Sequence, residues 1–278
     1  MAEKITVPIV RERKGGERLA MVTAYDTPGA LIADAAGVDI ILVGDSLANN
    51  VLGFDNTLQV DIDVMVHHTA AVSRAKPNAL VVGDMPWMSY HVSREATVLN
   101  AGRLIREGGA EAVKLEGGRK RVPVIEAIID AEIPVMGHLG LTPQSVHTMG
   151  GYKVQGKLGS AAKELIADAV ALVDAGVFSI VLEGIPDVLA GIVTKEVPVS
   201  TIGIGAGVHT DGQVLVFHDL LGLNTGHVAK FVRRYADLYG IAVEAMQQYV
   251  DDVRKGAFPS DDESYHMSST AAGELLGG

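Results

Sequence analysis

The amino-acid sequence predicts a single-domain α/β protein with a (β/α)8 barrel, also called a TIM barrel. Eight short apolar runs rich in β-branched residues recur along the 278 residues, and stretches with helical periodicity fill most of the intervals between them. Strands that alternate with helices are typical of parallel βαβ units. Eight such units in about 250 residues are the usual size of this barrel.

The eight predicted strands are continuous apolar runs, which indicates a sheet covered on both faces. They lie at residues 19–26, 39–46, 79–86, 112–118, 134–140, 179–185, 200–207 and 213–219. Helices are predicted between them at residues 26–37, 60–75, 93–109, 122–132 and 160–176. Several of these helices end in Ala-Gly or Gly-Gly, which is typical of a helix C-terminus.

The last part of the chain departs from this alternation. The connection between strands seven and eight is short and contains no obvious helix. Ala229 to Lys255 is predicted as an amphipathic helix that either closes the barrel or packs on a neighbouring molecule. The barrel, its N-terminal extension and this helix then occupy residues 1–256. From Phe258 the sequence is polar and small, so we expect residues 257–278 to form a mobile tail.

A doubly wound open sheet is the competing architecture for alternating strands and helices. A dinucleotide-binding protein of that class carries Gly-x-Gly-x-x-Gly directly after its first strand. Here the first strand, in "MVTAYD", is followed by "TPGALIAD", which lacks that pattern. The sequence therefore favours the closed barrel.

Composition limits the classes of function. The formal net charge of -11 disfavours nucleic acid and anionic membranes as partners. The sequence has no cysteine, which excludes disulfides, thiolate metal sites and a cysteine nucleophile. The first residues are highly charged and no apolar run is long enough to span a bilayer, so we expect a cytoplasmic protein.

Polar side chains stand at the C-terminal ends of the predicted strands, the end of a TIM barrel where active sites lie. From strand two to strand six they are Asp45, Ser46, Asp84, Lys114, Glu116, His138 and Glu183. Because side chains alternate along a strand, Lys114 and Glu116 point to the same side. Strands two, three and four are neighbours in a barrel, so Asp45, Asp84 and Glu116 are expected to converge.

Three converging carboxylates repel one another unless a cation neutralises them. An all-oxygen ligand set suits Mg²⁺, or Mn²⁺ in its place. For one aspartate alone, an N-cap of the next helix is an equally good interpretation. Three carboxylates in register favour a metal site at Asp45, Asp84 and Glu116. Zinc is less well supported, because the consecutive His67 and His68 face different sides of a helix.

Glu183 is expected to face this cluster across the barrel mouth, where a carboxylate can act as a general base. A salt bridge to Lys114 or Arg119 is the alternative. His138 is a candidate for substrate binding, and a structural histidine at a strand end is its alternative. The residues alone thus predict a metal-assisted enzyme acting on a small oxo acid, in which Lys114 stabilises an enolate and Glu183 moves a proton.

Two glycine-rich segments flank this constellation. "GIGAG" at residues 203–207 suits a phosphate cradle, room for a bulky ligand or a sharp turn. Residues 138–156 suit a loop over the site better than a helix.

Motifs over nearly the whole chain resemble those of the ketopantoate hydroxymethyltransferase family. They are "MVTAYD", "ILVGDSLANNVLGFDNTLQV", "VVGDMPWMSY", "AVKLEGG", "PVMGHLGLTPQSVHTMGGYKVQG", "IVLEGIP" and "TIGIGAG". The resemblance implies a TIM barrel that assembles into a large homo-oligomer, a decamer. It also implies Mg²⁺ dependence and one-carbon transfer from 5,10-methylenetetrahydrofolate to 3-methyl-2-oxobutanoate through an enolate, giving ketopantoate for pantothenate biosynthesis.

The resemblance assigns roles by position. The family's metal-binding carboxylates fall on Asp45, Asp84 and Glu116, and its proton acceptor falls on Glu183. Its substrate contacts fall on Asp45, Ser46, Asp84 and Lys114. The folate site is implied by the family alone, and residues 140–151 are a candidate lid beside it.

Two other classes of protein are the rival interpretations. Lyases and mutases of the phosphoenolpyruvate mutase and isocitrate lyase type resemble this chain in their barrel, Mg²⁺ and oxo-acid enolate, but commonly use a cysteine-bearing loop. A non-catalytic barrel makes no demand for charges at the strand ends.

Overall fold

Eight parallel strands form a closed barrel in a computed structural model that describes residues 3–226 and 228–277. The strands are β1 (Leu19–Thr23), β2 (Ile40–Val43), β3 (Leu80–Asp84), β4 (Ala112–Glu116), β5 (Val135–Gly140), β6 (Ser179–Glu183), β7 (Ser200–Ile204) and β8 (Gly212–Leu215). Each strand pairs with the next in chain order, and β8 pairs with β1. The predicted TIM barrel and its eight strands are therefore confirmed.

The helices surround this barrel. They are α1 (Val7–Glu12), α2 (Thr27–Ala35), α3 (Leu47–Asn50), α4 (Ile62–Ser73), α5 (Arg94–Arg106), α6 (Val122–Asp130), α7 (Val146–Met149), α8 (Gly159–Asp174), α9 (Asp187–Glu196), α10 (Phe217–Leu220), α11 (Leu238–Lys255) and α12 (Ser269–Leu276). The five helices predicted between strands correspond to α2, α4, α5, α6 and α8. Side-chain caps begin three of them, on Asp26, Asp61 and Ser93.

Alternation along the strands divides the apolar core in two. One cluster lies between the strands and the helices, and includes Val113 and Leu115 of β4. The other lies inside the barrel, and includes Ala112 of the same strand. Because side chains on one strand alternate, Lys114 and Glu116 point inward with Ala112. The barrel interior is therefore apolar toward the N-terminal ends of the strands and charged at their C-terminal ends.

The N-terminal end of the barrel is covered by α1. Val10 of this helix is fully buried in the inner core cluster, and Ile5 and Val7 pack against it. The Ser200 hydroxyl at the start of β7 donates a hydrogen bond to the Val10 carbonyl at 2.8 Å. The barrel is thus open at the end where the charged side chains lie.

Three predicted segments differ from the structure in detail. The helix predicted from Ala229 begins at Leu238, because the Asp237 side chain caps it and the Tyr235 N–H is held by the Leu220 carbonyl. The tail after Phe258 contains a 3-10 turn, Asp261–Glu263, and α12. The loop at 138–156 contains a 3-10 turn, Pro143–Ser145, and α7. Mobility of the tail and the domain bounds stay predictions.

Within the described residues, every helix falls short of the length and apolar character that crossing a membrane requires.

Candidate active site

All of the predicted site residues lie at the C-terminal end of the barrel, where they line one cavity of about 150 Å³. They are Asp45, Ser46, Asp84, Lys114, Glu116, His138 and Glu183. The structure therefore brings every predicted candidate together. Their individual roles stay predictions, and the contacts among them decide what each can do.

Lys114 and Asp84 form a buried ion pair at the centre of the cavity. Lys114 Nζ lies 2.9 Å from Asp84 Oδ1, and both side chains are almost inaccessible to solvent. Burial lowers the pKa of the Lys114 ammonium group, but the nearby carboxylates, led by Asp84 and Glu116, outweigh it and leave the pKa raised. Lys114 is therefore a permanent positive charge in the cavity.

Asp45 and Asp84 are less fully neutralised. The Asp45 backbone N–H donates to Asp84 Oδ2 at 3.1 Å, so the two residues are in contact. Burial, and then the neighbouring charges of Asp84 and Glu116, raise the pKa of Asp45 well above its usual range. Burial also raises the pKa of Asp84, despite the opposing effect of Lys114. The aspartate pair thus carries excess negative charge when both members are ionised.

His138 lies between two glutamates. Its Nδ1 is 3.4 Å from Glu116 Oε1, and its Nε2 is 3.2 Å from Glu183 Oε2. Burial and the Lys114 charge lower the pKa of His138, but hydrogen bonds with the two glutamates prevail and raise it to about 9. Nδ1 is also 3.3 Å from Lys114 Nζ, a contact that suits a neutral ring. Since carboxylates face both ring nitrogens, we assign the imidazolium form.

Glu116 is held by the same histidine. Burial raises the pKa of Glu116, but the hydrogen bond and charge of His138 lower it below its usual range. Glu183 is paired with His138 and not with Lys114, and Arg119 pairs instead with Glu164 and Asp168 outside the cavity. Glu183 is the more accessible glutamate, with 16% of its side chain exposed against 3% for Glu116.

Three buried side chains for which the sequence predicts no role, Tyr25, Tyr90 and Gln144, make hydrogen bonds behind the residues that line the cavity. Tyr25, just after β1, contacts Ser46 Oγ at 2.8 Å, and burial raises its pKa to about 12. Tyr90 donates from its hydroxyl to Gln144 Oε1 at 2.6 Å. Tyr25 and Tyr90 stand within quoted motifs, but nothing local distinguishes them from ordinary core tyrosines. Gln144 stands in a polar loop, where glutamines are usually solvated.

The glycines after β7 serve the turn and local packing. Gly205 and Gly207 have φ values of +61° and +75°, which favour glycine. A Cβ on Gly205 would lie 2.7 Å from the Phe231 ring, and one on Gly207 would lie 2.3 Å from the Asp187 side chain. The space beside Gly205 is thus filled by Phe231, which lines the cavity. Phosphate binding there stays a prediction.

The cavity fits a divalent cation at Asp45 and Asp84. Among the described residues, no three His, Cys, Asp or Glu side chains are already arranged to hold a metal ion. Asp84 Oδ1 is nevertheless buried with no well-aligned hydrogen-bond donor in the described chain, although Lys114 Nζ pairs with it at 2.9 Å. Carboxylate oxygens are the ligands that Mg²⁺ prefers. Glu116 differs, because both of its oxygens already contact other groups.

Comparison of the sequence with known proteins finds one family model and relatives that share the same enzyme name. The family model described as ketopantoate hydroxymethyltransferase matches residues 4–261. The 3-methyl-2-oxobutanoate hydroxymethyltransferase of Moorella thermoacetica is 55% identical over 263 residues, covering 94% of this chain and 98% of that protein. The protein of the same name from Koribacter versatilis is 53% identical over 273 residues, covering 98% of this chain and 92% of that protein.

Solved structures share the barrel at much lower identity. A phosphonopyruvate hydrolase is similar with a TM-score of 0.60 at 13% identity, covering 99% of this chain and 95% of that one. A 2,3-dimethylmalate lyase, a PEP mutase/isocitrate lyase superfamily member, is similar with a TM-score of 0.58 at 17% identity, covering 100% of this chain and 95% of that one. At these identities the similarity concerns the fold alone.

Proposed function

Because the chain belongs to the ketopantoate hydroxymethyltransferase family and is an enzyme with that activity, we propose the substrates, metal and pathway of its reaction. The one-carbon donor is 5,10-methylenetetrahydrofolate, the acceptor is 3-methyl-2-oxobutanoate, and the product, ketopantoate, serves pantothenate biosynthesis. The observation that supports this most directly is a single cavity with an ion pair and an aspartate on one side and Glu183 on the other.

Asp45 and Asp84 would hold Mg²⁺, with Glu116 as the further carboxylate that the family implies. When bound, Mg²⁺ withdraws electron density from the keto group of the substrate and so acidifies its C3–H bond. Lys114 supplies a fixed positive charge beside Asp84, where it stabilises negative charge that develops on the keto oxygen. Ser46, supported by Tyr25, donates a hydrogen bond to the substrate carboxylate.

Glu183 takes the C3 proton. It is the more accessible of the two glutamates that flank His138, and its Oε2 lies 3.2 Å from His138 Nε2. The resulting enolate carbon forms a bond to the methylene carbon, and the two bonds from that carbon to the folate nitrogens break in the course of the transfer. One water molecule supplies the oxygen of the new hydroxyl group, and the folate leaves as tetrahydrofolate.

Replacement of the base tests this mechanism. We expect Glu183→Gln to keep 3-methyl-2-oxobutanoate bound and to lose deuterium exchange at its C3, because an amide cannot accept the proton. Exchange is measured by NMR with Mg²⁺ and without folate, so that proton abstraction is observed apart from group transfer. Glu196→Gln, at the exposed end of α9, is the matched control and keeps exchange. Exchange at the wild-type rate in Glu183→Gln would contradict the assignment of the base.

A homo-oligomer is part of the same proposal, and α11 supports it. None of the residues of α11 is buried, although Tyr239, Met246 and Val250 form part of one apolar face. An apolar groove of about 510 Å³ also runs beside β1 and β8. Exposed apolar surfaces of this kind mark interaction sites. The decameric assembly and the cytoplasmic location stay predictions.

A further inference from the structure

Gln144 contacts three of the strand ends that build the cavity. Its side-chain Nε2 donates to Asp45 Oδ2 at 2.9 Å and to the Met85 carbonyl at 3.1 Å. Its backbone N–H donates to Glu116 Oε2 at 3.0 Å. The residue is 6% exposed, so these bonds form away from solvent. One loop residue after β5 thus connects β2, β3 and β4.

Tyr90 fixes which way the Gln144 amide points. Its hydroxyl donates to Gln144 Oε1 at 2.6 Å and accepts the Glu116 backbone N–H at 3.3 Å. The amide oxygen therefore faces Tyr90, and both N–H groups face acceptors. Tyr90 is itself 1% exposed, so its hydroxyl cannot exchange this partner for bulk water. The donor and the acceptor of each hydrogen bond are thereby determined along the path from the Glu116 N–H through Tyr90 and Gln144 to Asp45.

This chain of hydrogen bonds leaves the two Asp45 oxygens unequal. Oδ2 accepts from Gln144, whereas no described residue donates a hydrogen bond to Oδ1. A carboxylate that is held through one oxygen presents the other in a fixed direction, and partners of this kind orient metal ligands.

We propose that Gln144, held by Tyr90, is a positioning residue that turns the Asp45 carboxylate so that Oδ1 faces a divalent cation. The inference rests on the proposed cation site at Asp45 and Asp84. It makes the cation affinity of that site depend on the hydrogen bonds that Gln144, in the loop after β5, donates to Asp45 and to the Met85 carbonyl. It also gives the candidate lid, residues 140–151, a direct mechanical connection to the metal-binding carboxylates.

A purely structural role makes a different prediction. If Gln144 and Tyr90 only fill space, their replacement changes stability and leaves cation affinity unchanged. Tyr90→Phe keeps the ring in place and removes only the hydroxyl, and Gln144→Met keeps the length of the side chain and removes its donors and acceptor. Tyr265→Phe, on a fully exposed side chain, is the matched control.

The experiment measures Mn²⁺ binding to the full chain without substrate, by the electron paramagnetic resonance signal of free Mn²⁺. We expect Gln144→Met to weaken binding by about 10- to 100-fold, as for other residues that orient metal ligands. Tyr90→Phe is expected to weaken binding in the same direction, and the double variant by less than the product of the two effects, since both act on one amide. Tyr265→Phe binds as the wild type does.

Three outcomes distinguish the possible failures. Wild-type affinity in both Tyr90→Phe and Gln144→Met would overturn the positioning role while leaving the cation site intact. A wild-type protein that binds no Mn²⁺, or that binds it equally well as Asp84→Asn, would overturn the cation site and this inference with it. If Gln144→Met does not fold, as thermal unfolding reports, Tyr90→Phe alone decides.

Discussion

Lys114 is the residue on which the charge balance of the cavity depends. It lies among Asp45, Asp84 and Glu116, and its ammonium group is 2.9 Å from the nearest carboxylate oxygen. Removing one partner of a buried ion pair leaves the other charge desolvated and uncompensated. Lys114 therefore contributes to folding as well as to the proposed chemistry.

We expect Lys114→Met to lower the free energy of unfolding by about 3 kcal/mol, because Asp84 then stays buried without a partner charge. Urea denaturation followed by circular dichroism measures the change. Lys255→Met is the matched control, since Lys255 forms only an exposed contact with Asp251 and such pairs contribute less than about 1 kcal/mol. Equal stability of the two variants would contradict a buried ion pair at Lys114.

The rule that barrel chemistry lies at strand ends predicted the lining residues that stand at strands two to six, from Asp45 to Glu183, but not Thr57 or Asp219, which line the same cavity. It predicted them because a strand fixes both the position and the direction of its side chains. Gln144 and Tyr90 come from loops, whose path is set by tertiary packing and not by a local period. For that reason no local pattern distinguishes Gln144 from an exposed glutamine.

At the level of elements, Asp211 joins the segments that close the barrel. Its carboxylate accepts hydrogen bonds from Lys14 Nζ at 2.9 Å, from the Gly15 N–H at 3.1 Å and from the Thr201 N–H at 2.8 Å. Its carbonyl accepts from the Leu19 N–H at 3.0 Å. One residue before β8 thereby connects the α1–β1 segment, the start of β1 and β7.

We expect Asp211→Asn to lower the free energy of unfolding by about 2 kcal/mol at pH 7, because an amide group then faces donors where a carboxylate accepted them. Burial raises the pKa of Asp211, but the hydrogen bonds from Lys14, Thr201 and Gly15 outweigh burial and lower the pKa below its usual range. The contribution is therefore complete above about pH 5, where the unfolded-state carboxyl is ionised too, and is lost as the pH falls through the folded-state pKa.

Urea denaturation at pH 7, 5 and 3.5 tests this dependence. The difference between wild type and Asp211→Asn is expected to be equal at pH 7 and 5 and smaller at pH 3.5. The matched control is Asp262→Asn, in an exposed turn. A difference that grows as the pH falls would contradict the depressed pKa.

Sequence periodicity predicted the last helices of the chain better than it predicted where they begin. The amphipathic pattern from Ala229 to Lys255 correctly predicted a helix, but residues 229–237 are not helical. The backbone N–H groups of Tyr235 and Leu238 donate to the carbonyls of Leu220 and Leu221 at the end of α10, so tertiary contacts override the local pattern there. In the tail, Ser260 and Ser268 act as helix caps. Serine is also common in disordered segments, so its presence alone does not distinguish the two cases.

At the level of the whole molecule, the proposed self-association rests on the apolar face of α11. We expect Met246→Glu to shift the protein to a smaller assembly, because a charge in an apolar interface is desolvated without a partner. Analytical ultracentrifugation measures the mass. Gln248→Glu adds the same charge two residues further along α11, away from the apolar face, and keeps the wild-type mass. An unchanged mass in Met246→Glu would exclude this face as the interface.

Helix α1 closes the N-terminal end of the barrel, and this affects the order in which substrates bind and products leave. With Val10 buried in the inner core, every reactant must enter and leave through the C-terminal opening. Lys114 and the aspartates lie at the floor of that opening, directly above the apolar interior. If the proposed oxo acid binds at this floor and the proposed larger donor binds nearer the opening, the oxo acid has to arrive first and the donor product has to depart first. The proposed function therefore predicts an ordered kinetic sequence.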